Sequence, residues 1–316
     1  MKHFVAAAVM AAALALPLAA QAADYSVMAP AAPGGGWDQT ARAIQDALTG
    51  AGISGNVQVT NVPGAGGTIG LAQFAQEAKA DPSKLIVSGY VMVGAVLTNK
   101  SPVGLDAITP IARLTGEYEV IVVPAASELK TLGDLTSKLK ADPGSVSWAG
   151  GSAGGTDHIA AGLYAKAVGV DPKQVNYVAF SGGGEALAAV LGNQTTVGIS
   201  GYGEFQSQVE AGALRVLGIS APERIAIVDA PTLKEGGVDL VVQNWRMIAA
   251  GPGLTPEQVS AITADIEKMV SSDQWKKTLE TKGWINTYLA GDEFKAQLAK
   301  EIENTTGILK DIGLVS

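Results

Sequence analysis

Pro33-Gly34-Gly35-Gly36-Trp37-Asp38 stands between an extended apolar run, Tyr25 to Ala29, and a stretch carrying Ala41, Ile44, Ala47 and Leu48 at helical spacing. A strand that turns through glycines into a helix is the repeating unit of α/β architecture. The unit recurs at once: Val57 to Asn61 reads as a strand, Gly64-Ala65-Gly66-Gly67-Thr68 as a loop and Thr68 to Ala80 as a helix, followed by a strand at Leu85 to Val87. Each loop places backbone N–H groups at a helix start, where the helix dipole favours an anion. Two such loops close together predict one anionic ligand.

Tyr118 to Val123 is a longer apolar strand ending at Pro124, and Thr131-Leu132-Gly133-Asp134 opens a helix to about Ala141. The rhythm then resumes, with strand Ser145 to Ala149, loop Gly150 to Thr156, helix Asp157 to Val168, strand Val175 to Ala179, loop Phe180 to Gly184 and helix Glu185 to Gly192. Further strands are expected at Thr196 to Ser200 and Val216 to Ser220, and helices at Thr255 to Ser271, Asp273 to Lys282 and Asp292 to Ile312. If Val241 to Ile248 crosses back, residues 24–124 and 242–316 form one domain and 125–241 a second, with a mainly parallel sheet in each and a ligand cleft between them.

Residues 1–23 read as a signal peptide: Met1-Lys2-His3 is basic, Phe4 to Ala20 apolar, and Ala20-Gln21-Ala22 has small residues at a cleavage spacing. The chain contains no cysteine, which excludes disulfides, thiolate metal sites and a lipid anchor at the cleavage point. An exported, non-lipidated periplasmic protein is expected. Loss of Lys2 with the leader leaves 21 basic against 30 acidic residues, a net charge of −9. Without clustered Lys and Arg, nucleic acid is not an expected partner. A local set of N–H dipoles can still hold an anion, because distant surface charge is screened.

The candidate ligand contacts are Gly34, Gly35, Gly36, Trp37 and Asp38 in the first loop, with Asp38 as N-cap and Trp37 as an apolar wall, and Gly64, Ala65, Gly66, Gly67 and Thr68 in the second. The second half offers Ser152, Ala153, Gly154, Gly155, Thr156 and His158, then Ser181, Gly182, Gly183 and Gly184. A branched side chain at Gly35 or Gly66 is expected to fill the anion site. Nucleotide binding is disfavoured, since the loops lack the Lys-Ser/Thr ending of a P-loop and a convincing G-x-G-x-x-G. His158 alone cannot build a zinc site, and neither Ser152 nor Ser181 lies in a G-x-S-x-G elbow, so no metal, cofactor or catalytic residue is expected. An enzyme using Asp38, His158 and Ser152 is the competing reading.

These loops together resemble the periplasmic receptors of tripartite tricarboxylate transporters, the TctC or Bug family. The matching residues are Pro33-Gly34-Gly35 with Asp38, Ala41 and Arg42; Asn61 with Pro63-Gly64-Ala65-Gly66-Gly67; Ser152 with Gly154 and His158; Gly183 with Ala186-Leu187; and Gly212 with Leu214-Arg215. Pro231-Thr232-Leu233, Glu235-Gly236 and Trp245 continue the likeness. The resemblance covers essentially the whole chain after the leader. It implies a type II periplasmic binding protein, a Venus-flytrap clamshell whose first-domain loops hold one ligand carboxylate while the second-domain loops select the remainder. It also implies a monomer that delivers its ligand to one large and one small membrane subunit driven by an ion gradient. Trp37 before Asp38 looks like the tricarboxylate branch, favouring citrate or a relative such as cis-aconitate. Val178-Ala179-Phe180-Ser181 departs from the aromatic segment usual there, so a dicarboxylate, an aromatic carboxylate, or a role presenting ligand to a histidine kinase are the alternatives.

Overall fold

The computed structural model describes residues 23–316, so the expected leader lies outside the described residues except for Ala23. The first lobe runs through β1 (Ala23–Ala29), α1 (Gly36–Gly50), β2 (Ser54–Asn61), α2 (Thr68–Glu77), β3 (Lys84–Gly89) and α3 (Tyr90–Thr98). A long strand, β4 (Thr109–Pro124), leads to α4 (Leu132–Ala141), β5 (Ser147–Gly150), α5 (Thr156–Ala167), β6 (Asn176–Ala179), α6 (Gly183–Leu191), β7 (Val197–Gly201), α7 (Tyr202–Glu210) and β8 (Leu214–Ile219). The chain returns through β9 (Gln243–Ala250) to α8 (Pro256–Ser271), α9 (Asp273–Lys282), β10 (Ile285–Ala290) and α10 (Gly291–Asp311).

This is a two-lobed α/β clamshell with mixed sheets, not the mainly parallel ones expected. β1 pairs in parallel with β2 and β3, and β5 with β6 and β7, as strand–helix–strand units require. β9 runs antiparallel to β3 and β4, and β4 antiparallel to β7, β8 and β10. The cause is connectivity: β4 carries the chain out of one lobe and β9 brings it back, so the two crossing strands run in opposite directions. Within β4, Thr109 to Tyr118 pairs with β9 and Glu119 to Pro124 with β7 and β8. Tyr118 faces Gln243 in register, so both crossings lie side by side.

Local signals set several boundaries as read. Thr131 and Thr255 each close a capping box, with Asp134 and Gln258, and Pro256 occupies the first turn of its helix. Ala41, Ile44, Ala47 and Leu48 of α1 are all buried. α3, α7 and β10 were not legible. The sequence of α3, Tyr-Val-Met-Val-Gly-Ala-Val-Leu-Thr, is apolar on every side, and a helix without a polar face has no amphipathic period to reveal it. Trp275, Phe294 and Ile44 fill the first lobe's core, and Trp148, Tyr164 and Phe205 the second's.

Candidate functional site

The first glycine loop ends at Gly35, which caps α1 in extended conformation without a side-chain bond. Asp38 is therefore the helix's third residue and not its N-cap, contrary to expectation. From there its Oδ2 turns back to accept the Gly34 N–H at 2.8 Å, and its Oδ1 accepts from the Asn61 side-chain amide at 3.0 Å. Arg42, one helical turn on, pairs with the same carboxylate at 3.0 Å. Burial pushes Asp38 up, but the bonds from Arg42, Gly34 and Asn61 outweigh it and hold the carboxyl below its ordinary range.

The second loop is a short 3-10 turn, Ala65–Gly67, with Gly64, Gly66 and Gly67 at φ of 127°, 63° and 86°. Such angles suit glycine. At Gly67 a side chain would also strike Trp37, whose ring carbon Cη2 lies 2.9 Å from where a Cβ would stand. Trp37 is thus packed over the second loop. The Thr68 hydroxyl is spent on the Ala65 carbonyl at 2.9 Å.

The second lobe repeats the Asp38 device. Asp157, in the first turn of α5, accepts the Gly151 N–H at 2.7 Å, and Glu185, in the first turn of α6, accepts the Ser181 N–H at 3.0 Å. Gly154 donates to Nδ1 of His158 at 3.2 Å and Gly155 to the Ser152 carbonyl at 2.9 Å. The N–H groups of Gly34, Gly36, Gly151, Gly154, Gly155 and Ser181 are therefore already bonded within the protein, so each loop offers a ligand fewer donors than its length.

Between the lobes lies a narrow cleft with about 60 Å³ of accessible space. Gly35, Gly36, Trp37, Gly64 and Gly67 line it from the first lobe. Ser152, Gly155, Thr156, Ser181, Gly182 and Gly183 face them from the second. Gly34, Asp38, Ala65, Gly66, Thr68, Ala153, Gly154, His158 and Gly184 lie outside this lining and shape the loops behind it. His158 stacks on Tyr177 with ring centroids 4.1 Å apart, and burial pushes its imidazole down to about 4. A backbone N–H can only donate, so Nδ1 facing Gly154 carries no proton.

Asp157, Ser200, Glu204, Asn244 and Arg246 also line the cleft, outside the expected set of ligand contacts. Glu117 of β4 binds the Arg246 guanidinium, accepts from Trp284 Nε1 at 3.1 Å and lies 3.5 Å from the Asn244 amide nitrogen. The side chains of Arg246 and Glu117 are only 3% and 5% exposed. Nη1 of Arg246 has no partner, and neither does Oε2 of Glu204. The other Glu204 oxygen, Oε1, accepts the Gly36 N–H of α1 at 2.9 Å, a hydrogen bond between lobes. Burial, then the Asp157 and Glu117 charges, push Glu204 up to about 8. Asp157 rises to about 6, chiefly through burial, and Glu119 behind it is driven well above the carboxylate range by burial and by Asp157. Three of these groups had a legible signal: Glu119 interrupts an apolar run of β4, and Glu117 and Arg246 stand at buried strand positions, where a charge is expensive unless paired.

Asp38 and His158 are tied to loops of different lobes, and no hydrogen bond links them or Ser152 among the described residues. No group of three or more His, Cys, Asp or Glu suited to a metal occurs among those residues either. At Gly36 the bonded Oε1 of Glu204 and Nη2 of Arg246 meet the start of α1.

Residues 40–314 match the family described as tripartite tricarboxylate transporter family receptor, TctC. Protein BugT of Bordetella pertussis is 26% identical over 298 residues, covering 92% of this chain and 90% of its own. MatC from Rhodopseudomonas palustris with bound malate superposes with a TM-score of 0.79 at 24% identity, over 93% of this chain and 100% of that one. An R. palustris protein with adipate gives a TM-score of 0.80 at 20% identity, over 92% of this chain and 97% of the other. At these identities the structural likeness establishes the fold.

Proposed function

The chain belongs to the family of tripartite tricarboxylate transporter receptors, and on that basis we propose that it captures citrate or a related tricarboxylate in the periplasm and presents it to a large and a small membrane subunit for ion-gradient-driven uptake. The observation that carries this reading is the cleft itself, lined by glycine loops from both lobes and by Arg246. A hydrogen bond to a charged group contributes about 1.5–3 kcal/mol net, so a few of them reach the roughly 8 kcal/mol of a micromolar complex. Export by a cleaved leader belongs to the proposal, as does a receptor acting as a monomer. No helix among the described residues is long and apolar enough to cross a membrane.

A dicarboxylate is the second reading, favoured by Asp157 and Glu204 on the cleft wall. A third ionised carboxylate beside two acidic side chains is penalised by like-charge repulsion in a buried site. Calorimetric titration with citrate, cis-aconitate, malate, succinate and adipate tests both. The receptor reading requires micromolar or tighter binding of at least one of them, and an amine or sugar bound in their place would refute it.

A further inference from the structure

α3 leaves the crossing strands and runs along the seam between the lobes. It starts where Gly89 pairs with Arg246 of the returning strand β9, and its first residue, Tyr90, packs on Trp245 with ring centroids 6.3 Å apart. With a rise of about 1.5 Å per residue, Gly94 stands about 6 Å and Thr98 about 12 Å along the helix from that anchor. Val91, Gly94 and Thr98 share one face, at the i, i+3, i+7 spacing of a helix stripe. That face meets the second lobe's loop, residues 151–155.

The two surfaces touch residue by residue. A Cβ on Gly155 would lie 3.0 Å from Val91 Cγ1, one on Gly154 would lie 2.8 Å from Thr98 Cβ, and one on Gly94 would overlap the Gly154 carbonyl oxygen. The three atoms nearest that last position, Gly154 O, Gly154 C at 3.1 Å and Ile159 Cδ1 at 3.5 Å, all belong to the second lobe. Two glycine backbones therefore meet across the seam, with a Cα–H of Gly94 facing the Gly154 carbonyl. Beside them the Thr98 hydroxyl lies 3.4 Å from the Ala153 carbonyl. The loop is held in place from its own side: the Gly154 N–H donates to His158 Nδ1 at 3.2 Å, and the Gly155 N–H to the Ser152 carbonyl at 2.9 Å. Gly94 and Thr98 stand outside the cleft's lining, whereas Val91, Ser152, Gly155 and Thr156 belong to it.

We propose that Gly94 is a positioning residue for ligand capture: with no side chain there, α3 and the 151–155 loop close to backbone contact, and that approach brings Ser152, Gly155 and Thr156 up to the ligand. This rests on the receptor reading and adds to it a residue that sets affinity without touching the ligand. Measured affinity includes the closing equilibrium, so a lobe stopped short of closure loses the contacts that the second lobe supplies. The stripe runs away from β9, so a swing about the crossing strands parts it. Alanine is favoured over glycine inside a helix, and no first-lobe atom is among the three nearest to a Cβ at Gly94. Its methyl group therefore obstructs the closed arrangement and spares the first lobe.

The full-length receptor and its Gly94→Ala variant, titrated with citrate, malate and adipate, test this. For each acid that the unmodified receptor binds, the variant is expected to bind at least tenfold more weakly, with the loss in koff and with kon within threefold. Small-angle X-ray scattering is expected to show the unmodified receptor contracting on saturation and the variant keeping its unliganded radius of gyration. The melting midpoint without ligand stays level or rises. Equal affinity or equal contraction in Gly94→Ala overturns the proposal. So does a lowered midpoint of the unliganded variant, which makes the contact permanent packing and not a feature of closure. Failure of all three acids with the unmodified receptor overturns the receptor reading, and this inference with it.

Discussion

The carboxyl group of Asp38 accepts the side-chain amide of Asn61 at 3.0 Å, joining the first glycine loop to the strand that leads into the second. The same carboxyl holds Gly34 and pairs with Arg42, so one buried side chain sets the separation of the two loops that wall the cleft from the first lobe. Asp38→Ala strands the Gly34 and Asn61 donors. A loss of about 2–4 kcal/mol is expected, visible as a midpoint several degrees lower, together with weaker ligand binding. Arg42→Ala removes a half-exposed partner only and costs about 1 kcal/mol or less.

Gly36→Ala crowds the seam between the lobes. Gly36 is the first residue of α1, where alanine is well tolerated by the backbone, but its Cβ enters the space of Arg246 and Glu204 and must displace the buried Arg246–Glu117 pair. A lower melting midpoint is expected together with an at least tenfold fall in carboxylate affinity. Gly66→Val is not an equivalent probe. Gly66 has φ of 63° and its Cβ would collide with Ala95 of the same lobe, so that variant loses stability as well.

Arg246→Met removes the cation paired with Glu117. Glu117 then keeps Trp284 and Asn244, with Lys282 as a more distant charge, and breaking a buried pair on one side costs about 3–5 kcal/mol. Chemical denaturation measures this. Carboxylate binding is expected to vanish with it, even at temperatures where the variant is fully folded.

Stability should decline on the alkaline side of neutrality. Glu204 is raised from an ordinary 4.5 to about 8, so across that interval the folded state holds a proton the unfolded chain has released, and stability falls as pH rises. Asp157 acts in the same direction up to about 6, and Glu119 is displaced the same way. His158 acts oppositely, since its folded value near 4 lies below 6.5 and its contribution grows as pH rises between them. Between pH 6.5 and 8 the raised carboxyls stand unopposed by His158. Thermal melts there should show a falling midpoint, with a visibly shallower fall in Glu204→Gln.

The helices with punctuation at their ends were readable directly: Thr131 with Asp134 and Thr255-Pro256 with Gln258 close their caps as written, using interactions that span three residues. α3 was hidden because apolar residues on every side erase the periodicity, and β10 because its partner, β4, is some 170 residues away and supplies the reason for its shape. Among the site residues, the loops were legible because glycine at a strand-to-helix turn leaves a local trace. Glu204 left none: it sits in an ordinary helix, and only the fold brings it to Gly36, across 168 residues.

The sequence by itself determined that the chain alternates strands and helices through glycine turns, that its family is that of carboxylate receptors, and which loops face the cleft. These follow from backbone constraints and short-range caps, which act over a few residues. Only the tertiary structure decided that the sheets are mixed, that Asp38, Asp157 and Glu185 each take one loop N–H, and that Arg246 and Glu204 converge at the start of α1. Charge in a buried site is a property of what surrounds it. The acidity of Glu204 and the pairing of Arg246 come into being when two lobes close over them and exclude water.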